Sequence, residues 1–223
     1  KAANIKNDPI EIKLAEAREE LTGLMNFPDS EFVSTIRELG FKCELCARCC
    51  TKEFNDHVFL LDSDLDTIRK IDPEAVMPAP YYEFCDQKGR FYVSGYALKT
   101  KPDGSCIFLD NKRCNIYENR PLICRVYPHM LHREPDESGK IGWRQISGLN
   151  EHGSYHSEIP DSDCEAIARE TRAYEEAYLK QIIEFLETSQ AHFKKNGLKH
   201  VQRIYDSKIR EFHKGKCELE VFV

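Results

Sequence analysis

Cys43-Glu44-Leu45-Cys46-Ala47-Arg48-Cys49-Cys50 places four thiols within eight residues, and Cys106, Cys114 and Cys124 follow far downstream. Thiolates are soft ligands that suit iron–sulfur clusters, zinc and copper(I). This density therefore points to metal chemistry in a reducing compartment. The ten cysteines of the 223-residue chain would read as a disulfide framework in a short, loop-rich secreted protein. This chain is long and not loop-rich throughout. Lys1–Asn7 also lack the apolar core of a signal peptide, so the expected location is cytoplasmic.

The interval Cys43-x2-Cys46-x2-Cys49 is the one by which a bacterial ferredoxin loop holds three irons of a cubane, a remote cysteine taking the fourth. A single C-x2-C pair would fit zinc knuckles and redox dithiols equally well. Three thiols at this period, with Cys50 beside them, signal metal binding and leave iron and zinc both open. The ferredoxin pattern sets proline directly after its remote cysteine, whereas here the order is Cys124-Arg125-Val126-Tyr127-Pro128. Neighbouring side chains in extended backbone point in opposite directions. Cys49 and Cys50 are thus expected to serve different centres, or to divide binding and packing between them. The radical-adenosylmethionine spacing C-x3-C-x2-C is absent, because Glu53 stands where the third thiol would follow Cys46 and Cys50.

Working outward, apolar spacing predicts helices over Glu11–Leu24 and from Asp29 or Ser30 to Leu39, with Ser30 as a cap and Gly40 as the stop. The cysteine run then lies on a loop past a helix end. Val58–Leu61 reads as a strand, and Asp62 or Ser63 caps a helix through Ile68. Tyr81–Phe84 and Arg90–Leu98 read as a hairpin around Asp86–Gly89, Cys106–Leu109 as a third strand and Ile141–Ile146 as a fourth. Pro121 opens a short helix holding Cys124, and Pro135–Gly139 is a loop. Asp161–Thr188 and Leu198–Phe212 read as an antiparallel helix pair. The expected fold class is α+β: a small cysteine-rich metal-binding core with short antiparallel strands, flanked by N-terminal helices and a C-terminal helix pair. Residues 1–160 are expected as one unit, and 161–223 as a helical extension packed on it.

The formal net charge of −6 argues against a general nucleic-acid binder, and no apolar run approaches the roughly eighteen residues of a membrane span. Between Lys99 and Arg133, however, seven Lys or Arg face three Asp or Glu. That basic stretch coincides with the downstream cysteines, where it could offset thiolate charge or draw an acidic protein partner. Zinc-protease, phosphate-loop and dinucleotide signatures are all missing. Asp62, Asp64 and Asp66 read as a solvated helix start.

Taken together, Cys43-x2-Cys46-x2-Cys49-Cys50, Cys106-Ile107-Phe108-Leu109, Cys114-Asn115-Ile116-Tyr117, Arg120-Pro121 and Cys124-Arg125-Val126-Tyr127-Pro128 resemble the CxxCxxCC family of zinc- or iron-chelating domains. Flagellin lysine methylases carry a related cysteine motif. The resemblance runs from about Gly40 to Pro128 and implies that Cys43, Cys46, Cys49, Cys50, Cys106, Cys114 and Cys124 cooperate in binding metal. Many relatives add a cysteine in a Cys-Pro-Gly setting; this chain has Asp163-Cys164-Glu165, so Cys164 stands as an eighth candidate, with Cys85 as its substitute and Cys217 as a bystander. Arg120 and Arg125 are candidates to donate to sulfur, Tyr117 and Tyr127 to cover the site, and His129-x2-His132 to supply nitrogen. The leading expectation is an iron–sulfur protein with one or two [4Fe-4S] clusters, used in electron transfer or cluster handling within a larger assembly. The alternatives are a zinc-stabilised protein-interaction module and a metal-dependent protein-modifying enzyme.

Overall fold

A computed structural model of the chain describes residues 8–129, 131–135, 141–145 and 152–223. Asp8 accepts from the Ile10 amide at 3.1 Å and Pro9 opens α1 (Pro9–Asn26), the N-terminal capping that such residues favour. After a break at Phe27-Pro28, α2 runs over Asp29–Leu39. Ser30 is not its cap. Extended Pro28 occupies that position without a side-chain bond, and Gly40 closes the helix at φ 52°. Then follow β1 (Phe59–Leu60), α3 (Asp62–Ile71), β2 (Val76–Pro78), β3 (Phe84–Cys85), β4 (Phe91–Tyr92), β5 (Tyr96–Leu98), β6 (Leu109–Asp110), β7 (Arg113–Cys114), α4 (Leu122–Val126), β8 (Leu131–Pro135), β9 (Ile141–Gln145), α5 (Asp161–Asn196), α6 (Gln202–His213) and β10 (Val221–Phe222).

The strands make two three-stranded sheets, β1-β5-β2 and β10-β4-β3, and two hairpins, β6-β7 and β8-β9. The pairs are antiparallel except β10 with β4, which is parallel. The α+β expectation holds. The single strand expected over Arg90–Leu98 is two strands in different sheets. A Cβ at Gly95 would stand 2.9 Å from the Gln181 amide and 3.0 Å from the Phe59 ring, so a side chain would obstruct the passage between them. Of the strand expected at Cys106–Leu109, only Leu109 is strand; Cys106 makes an isolated bridge to Thr100. Residues 1–7, 136–139 and Ile146, to which expectations were attached, lie outside the described residues.

The long helix α5 is the fold's spine. Arg18 of α1 pairs with Glu187, while Arg172 donates to the Leu24 and Phe27 carbonyls and pairs with Asp29. Arg37 of α2 reaches Asp161. Along this series, residue numbers rise in α1 and α2 as they fall in α5, so both short helices run antiparallel to it, end to end. Ile10, Leu14 and Ala17 bury against Leu186 and Phe193, and Leu24, Phe32 and Ile36 against Ala168 and Leu179. Each large side chain buried in this way contributes about 1.5–3 kcal/mol, an upper estimate. The C-terminal helices were expected to pair with each other. Instead, α5's principal partners are α1 and α2, and α6 packs on β3, because the apolar stripe of α5 faces the N-terminal helices. A third cluster joins β1, α3 and β5 to Phe108 and Ile116, and a fourth sets Val126 of α4 against Leu61 and Tyr174 of α5. These two clusters carry the downstream cysteines.

Candidate metal centre

The cysteine loop leaves α2 through Gly40, where a Cβ would stand 2.3 Å from the Ser157 carbonyl oxygen. Lys42 and Ser154 exchange backbone hydrogen bonds of 2.8 and 3.0 Å, and Ser154 Oγ donates to Glu44. Within the loop, Leu45 and Ala47 take positive φ values of 53° and 62°. Left-handed residues alternating with right-handed ones turn successive amides toward a concave side, an arrangement found around phosphates and iron–sulfur centres. Arg48–Cys50 then form one 3-10 turn.

Backbone pairing ties the end of this loop to the later cysteines. Cys106 N–H donates to the Cys50 carbonyl at 2.8 Å, and Lys52 N–H to Gly104 at 3.0 Å. Asn55 Nδ2 holds the Cys49 carbonyl at 2.6 Å. Between β6 and β7, Asn111 and Lys112 have φ values of 46° and 61°, the paired left-handed residues of a type I′ hairpin. The turn brings Cys114 back opposite Leu109. Cys124 rides on α4, whose leading amide at Leu122 donates to both Asp64 oxygens at 3.2 Å. Asp64 thus has a task that the sequence pattern did not show.

These constraints set Cys43, Cys49, Cys50, Cys106, Cys114 and Cys124 around one cleft of about 610 Å³. Cys46 is exposed on the same loop, outside the lining. Val58, Leu98, Phe108, Ile116 and Ile123 supply apolar walls and Lys112, Arg113 and Arg120 positive charge; no Asp or Glu is among the described lining residues. The described lining is therefore soft and cationic at its edges.

The thiols crowd one another unevenly: Cys124 feels the charge of Cys50, Cys106 and Cys114, Cys106 that of Cys50 and Cys114, Cys114 that of Cys50, and Cys50 that of Cys49. Lost hydration pushes the Cys124 thiol well above its usual range, helped by the other three and opposed by Arg120. Burial likewise raises Cys106 and Cys114, opposed by the amides of Phe108 and Ile116. For Cys50 the hydrogen bond with Cys49 is the largest cause, ahead of burial. Thiols gathered in this way give up their protons only against a compensating cation. Three sulfurs accept an amide two residues ahead: Cys43 from Leu45 at 3.4 Å, Cys106 from Phe108 and Cys114 from Ile116. Such bonds stabilise thiolate and tune the metal it binds.

The donor set fits a thiolate-bound metal by its chemistry. Among the described residues, no three Cys, His, Asp or Glu side chains converge closely enough to hold one ion. A lone zinc would need four ligands at about 2.3 Å from a single point.

The other candidates are distributed as follows. Arg120 stands on the cleft wall, its guanidinium 3.8 Å from the centre of the Tyr117 ring and its Nε donating to the Tyr117 carbonyl at 3.0 Å. Tyr127 also lines the cleft, its hydroxyl 2.9 Å from His152 Nε2. Arg125 is drawn to Glu170 on α5. The structure does not bring Cys164 to the cleft: it is buried with Leu24, Phe32 and Leu179, and its thiol faces the Ile159 carbonyl at 3.9 Å. Cys85 is buried in the β3-β4 hairpin, its thiol pushed up to about 11 by burial and Asp86, and Cys217 contacts the Lys208 carbonyl. His129 is buried against Phe41, and the side chain of His132 lies outside the described residues. Sequence reasoning missed His57, which lines the cleft beside Cys49 and Cys50; burial lowers its pKa, opposed by Asp56.

Residues 42–147 match the CxxCxxCC family model, described as a "putative zinc- or iron-chelating domain", the family that the cysteine pattern resembles. An uncharacterized protein of Methanocaldococcus jannaschii is 31% identical over 114 residues, covering 48% of this chain and 55% of the relative. The chain thus spans about half the length of that curated protein. No solved structure matches it. No helix among the described residues is long and apolar enough to cross a membrane.

Proposed function

We propose that this chain is a cytoplasmic iron–sulfur protein that carries [4Fe-4S] centres for electron transfer or for cluster handling within a larger assembly. The observation that carries this reading is the cleft lined by six cysteines and, among the described residues, no carboxylate, with amides aimed at three of its sulfurs. A bound cluster supplies one-electron chemistry. The protein's part is to exclude water with Phe108, Ile116 and Ile123, to offset thiolate charge with Arg120, and to fix sulfur orientation through the amides of Leu45, Phe108 and Ile116. Exposed Leu45 and Tyr117 at the rim, beside Lys112 and Arg113, suit docking of an acidic protein partner.

The second reading, a zinc-stabilised interaction module, draws on the number of thiols at the cleft, which exceeds the four that a zinc site takes. Anaerobic purification separates the two. The iron–sulfur reading expects brown protein with iron and acid-labile sulfide, bleached reversibly by dithionite. Colourless protein with stoichiometric zinc and no sulfide overturns it.

A further inference from the structure

Elsewhere in the fold, Arg18, Arg37, Arg48, Arg90, Arg125 and Arg172 each pair with a carboxylate. Lys112, Arg113 and Arg120, all on the cleft lining, pair with none among the described residues. The chain carries 38 Asp and Glu against 32 Lys and Arg, so carboxylates are not scarce. Three cations left without one at a single cleft are arranged to receive negative charge from outside.

Arg120 is the best placed of the three. Its guanidinium lies 3.8 Å from the centre of the Tyr117 ring, and its Nε donates to the Tyr117 carbonyl at 3.0 Å. Stacking and hydrogen bond together fix the plane of the group, and its Nη atoms have no partner among the described residues. Offsetting thiolate charge requires only a cation. A fixed planar fork does more, because it matches the two oxygens of a carboxylate. The walls of the same cleft, Val58, Leu98, Phe108, Ile116 and Ile123, suit an apolar body rather than a bare ion.

Size agrees with this. At about 610 Å³ the cleft falls in the range of small-molecule sites, roughly 300–1,000 Å³. At about 30 Å³ per water-sized atom, the eight atoms of one cubane take up less than half of it and leave room for about a dozen more.

We propose that the cleft binds a small carboxylate with an apolar body beside the metal centre, its oxygens on the Arg120 fork and Lys112 and Arg113 adding charge. The proposal rests on the metal-centre reading for the ligand's neighbour, not for the binding of the ligand. A small molecule then reaches the centre as well as a protein partner. Negative charge beside a cluster opposes its reduction. The carboxylate therefore binds the oxidised protein more tightly and, by reciprocity, lowers the potential of the centre.

Calorimetric titration of the anaerobically loaded full chain with 4-phenylbutyrate tests this. One site is expected, with 4-phenylbutan-1-ol and acetate each bound about tenfold more weakly or worse. Arg120→Gln should lose about tenfold or more, Arg120→Lys should recover part of it, and Arg113→Gln should lose severalfold. Arg18→Gln should change nothing. Tenfold tighter binding to the oxidised state appears as a potential lower by about 59 mV at saturation.

No binding to the wild type, equal binding of the alcohol or of acetate, or tighter binding of inorganic phosphate or of a hexaglutamate peptide overturns the class of ligand. Unchanged affinity in Arg120→Gln overturns the site. If that variant loses its metal, Arg113→Gln decides instead, and unchanged affinity there overturns it. Binding without a shift in potential overturns the placement beside the centre. If the chain holds zinc without sulfide, the iron–sulfur reading fails, while the same titrations of the zinc-loaded chain still support or overturn the ligand.

Discussion

The amide of Cys106 donates to the carbonyl of Cys50 at 2.8 Å, so the two halves of the cysteine motif are joined through backbone rather than through any side chain. Flanking bonds from Lys52 to Gly104 and from Lys101 to Ser105 make this a short, rigid seam. The backbone of Cys50 is therefore held beside that of Cys106, which lowers the ordering cost of binding a metal between their side chains.

The seam divides the cysteines into consequential and inert ones. Cys50→Ser is expected to remove at least one centre, whereas Cys217→Ser leaves the metal content unchanged. Cys164→Ser also keeps its metal but loses about 1 kcal/mol of stability, because it sets a hydroxyl among Leu24, Phe32 and Leu179. Metal analysis of the purified variants, paired with denaturant midpoints, checks all three.

Gly40 and Gly197 share a left-handed backbone, with φ values of 52° and 60°, but a Cβ meets the Ser157 backbone at the first and open space at the second. Gly197→Ala is expected to cost about 1 kcal/mol, the conformational penalty alone. Gly40→Ala should cost roughly twice that or more, since the 154–157 segment must also move. It should weaken metal retention too, because the loop begins there; competition with a chelator reads this directly.

Asp64 holds the start of α4, a helix too short to persist alone. Asp64→Ala is expected to cost about 1 kcal/mol and to loosen Cys124, seen as faster metal loss, while Asp64→Asn retains an acceptor for the Leu122 amide and most of the wild-type behaviour. Equal metal loss in both variants would show that the hydrogen bond to α4 is not what matters.

Burial lowers the His129 pKa to about 4 from an ordinary value of 6.5. The folded state then binds this proton less readily than the unfolded chain. Its effect is absent above pH 7, and stability is lost as pH falls from about 6.5 toward 4, by on the order of 2–3 kcal/mol. His129→Phe should remove that slope. The difference between the denaturation midpoints of the two proteins is expected to be constant above pH 7 and to shift in favour of His129→Phe as pH falls toward 4, a pattern that other titrating groups, common to both, do not produce.

Local signals were legible where a short stretch decides its own conformation. Gly40 ends α2, Pro121 precedes α4, and the C-x2-C-x2-C-C run lies on a loop, as their residues imply. The reading failed where distant segments intervene. The helix expected to end at Thr188 continues to Asn196 because Ser189 and Phe193 bury against the rest of the fold. Strand β10 consists of Val221 and Phe222 alone, with no alternation to announce it; its pairing with β4 supplies the strand. His57 carries no periodic signal either, and only its place between Cys49 and Tyr81 marks it out.

By itself the sequence determined the chemistry available to this protein: soft ligands at metal-binding intervals, basic residues beside them, and helices whose ends are written in Pro and Gly. Which thiols meet was decided only by the tertiary structure. It gathers Cys43, Cys49, Cys50, Cys106, Cys114 and Cys124 around one cleft, sends Cys164 into the helical core and places His57 at the cleft. The physical reason is that spacing along a chain fixes directions over a few residues, whereas a metal site is closed by backbone pairings and packed helices between segments far apart in sequence.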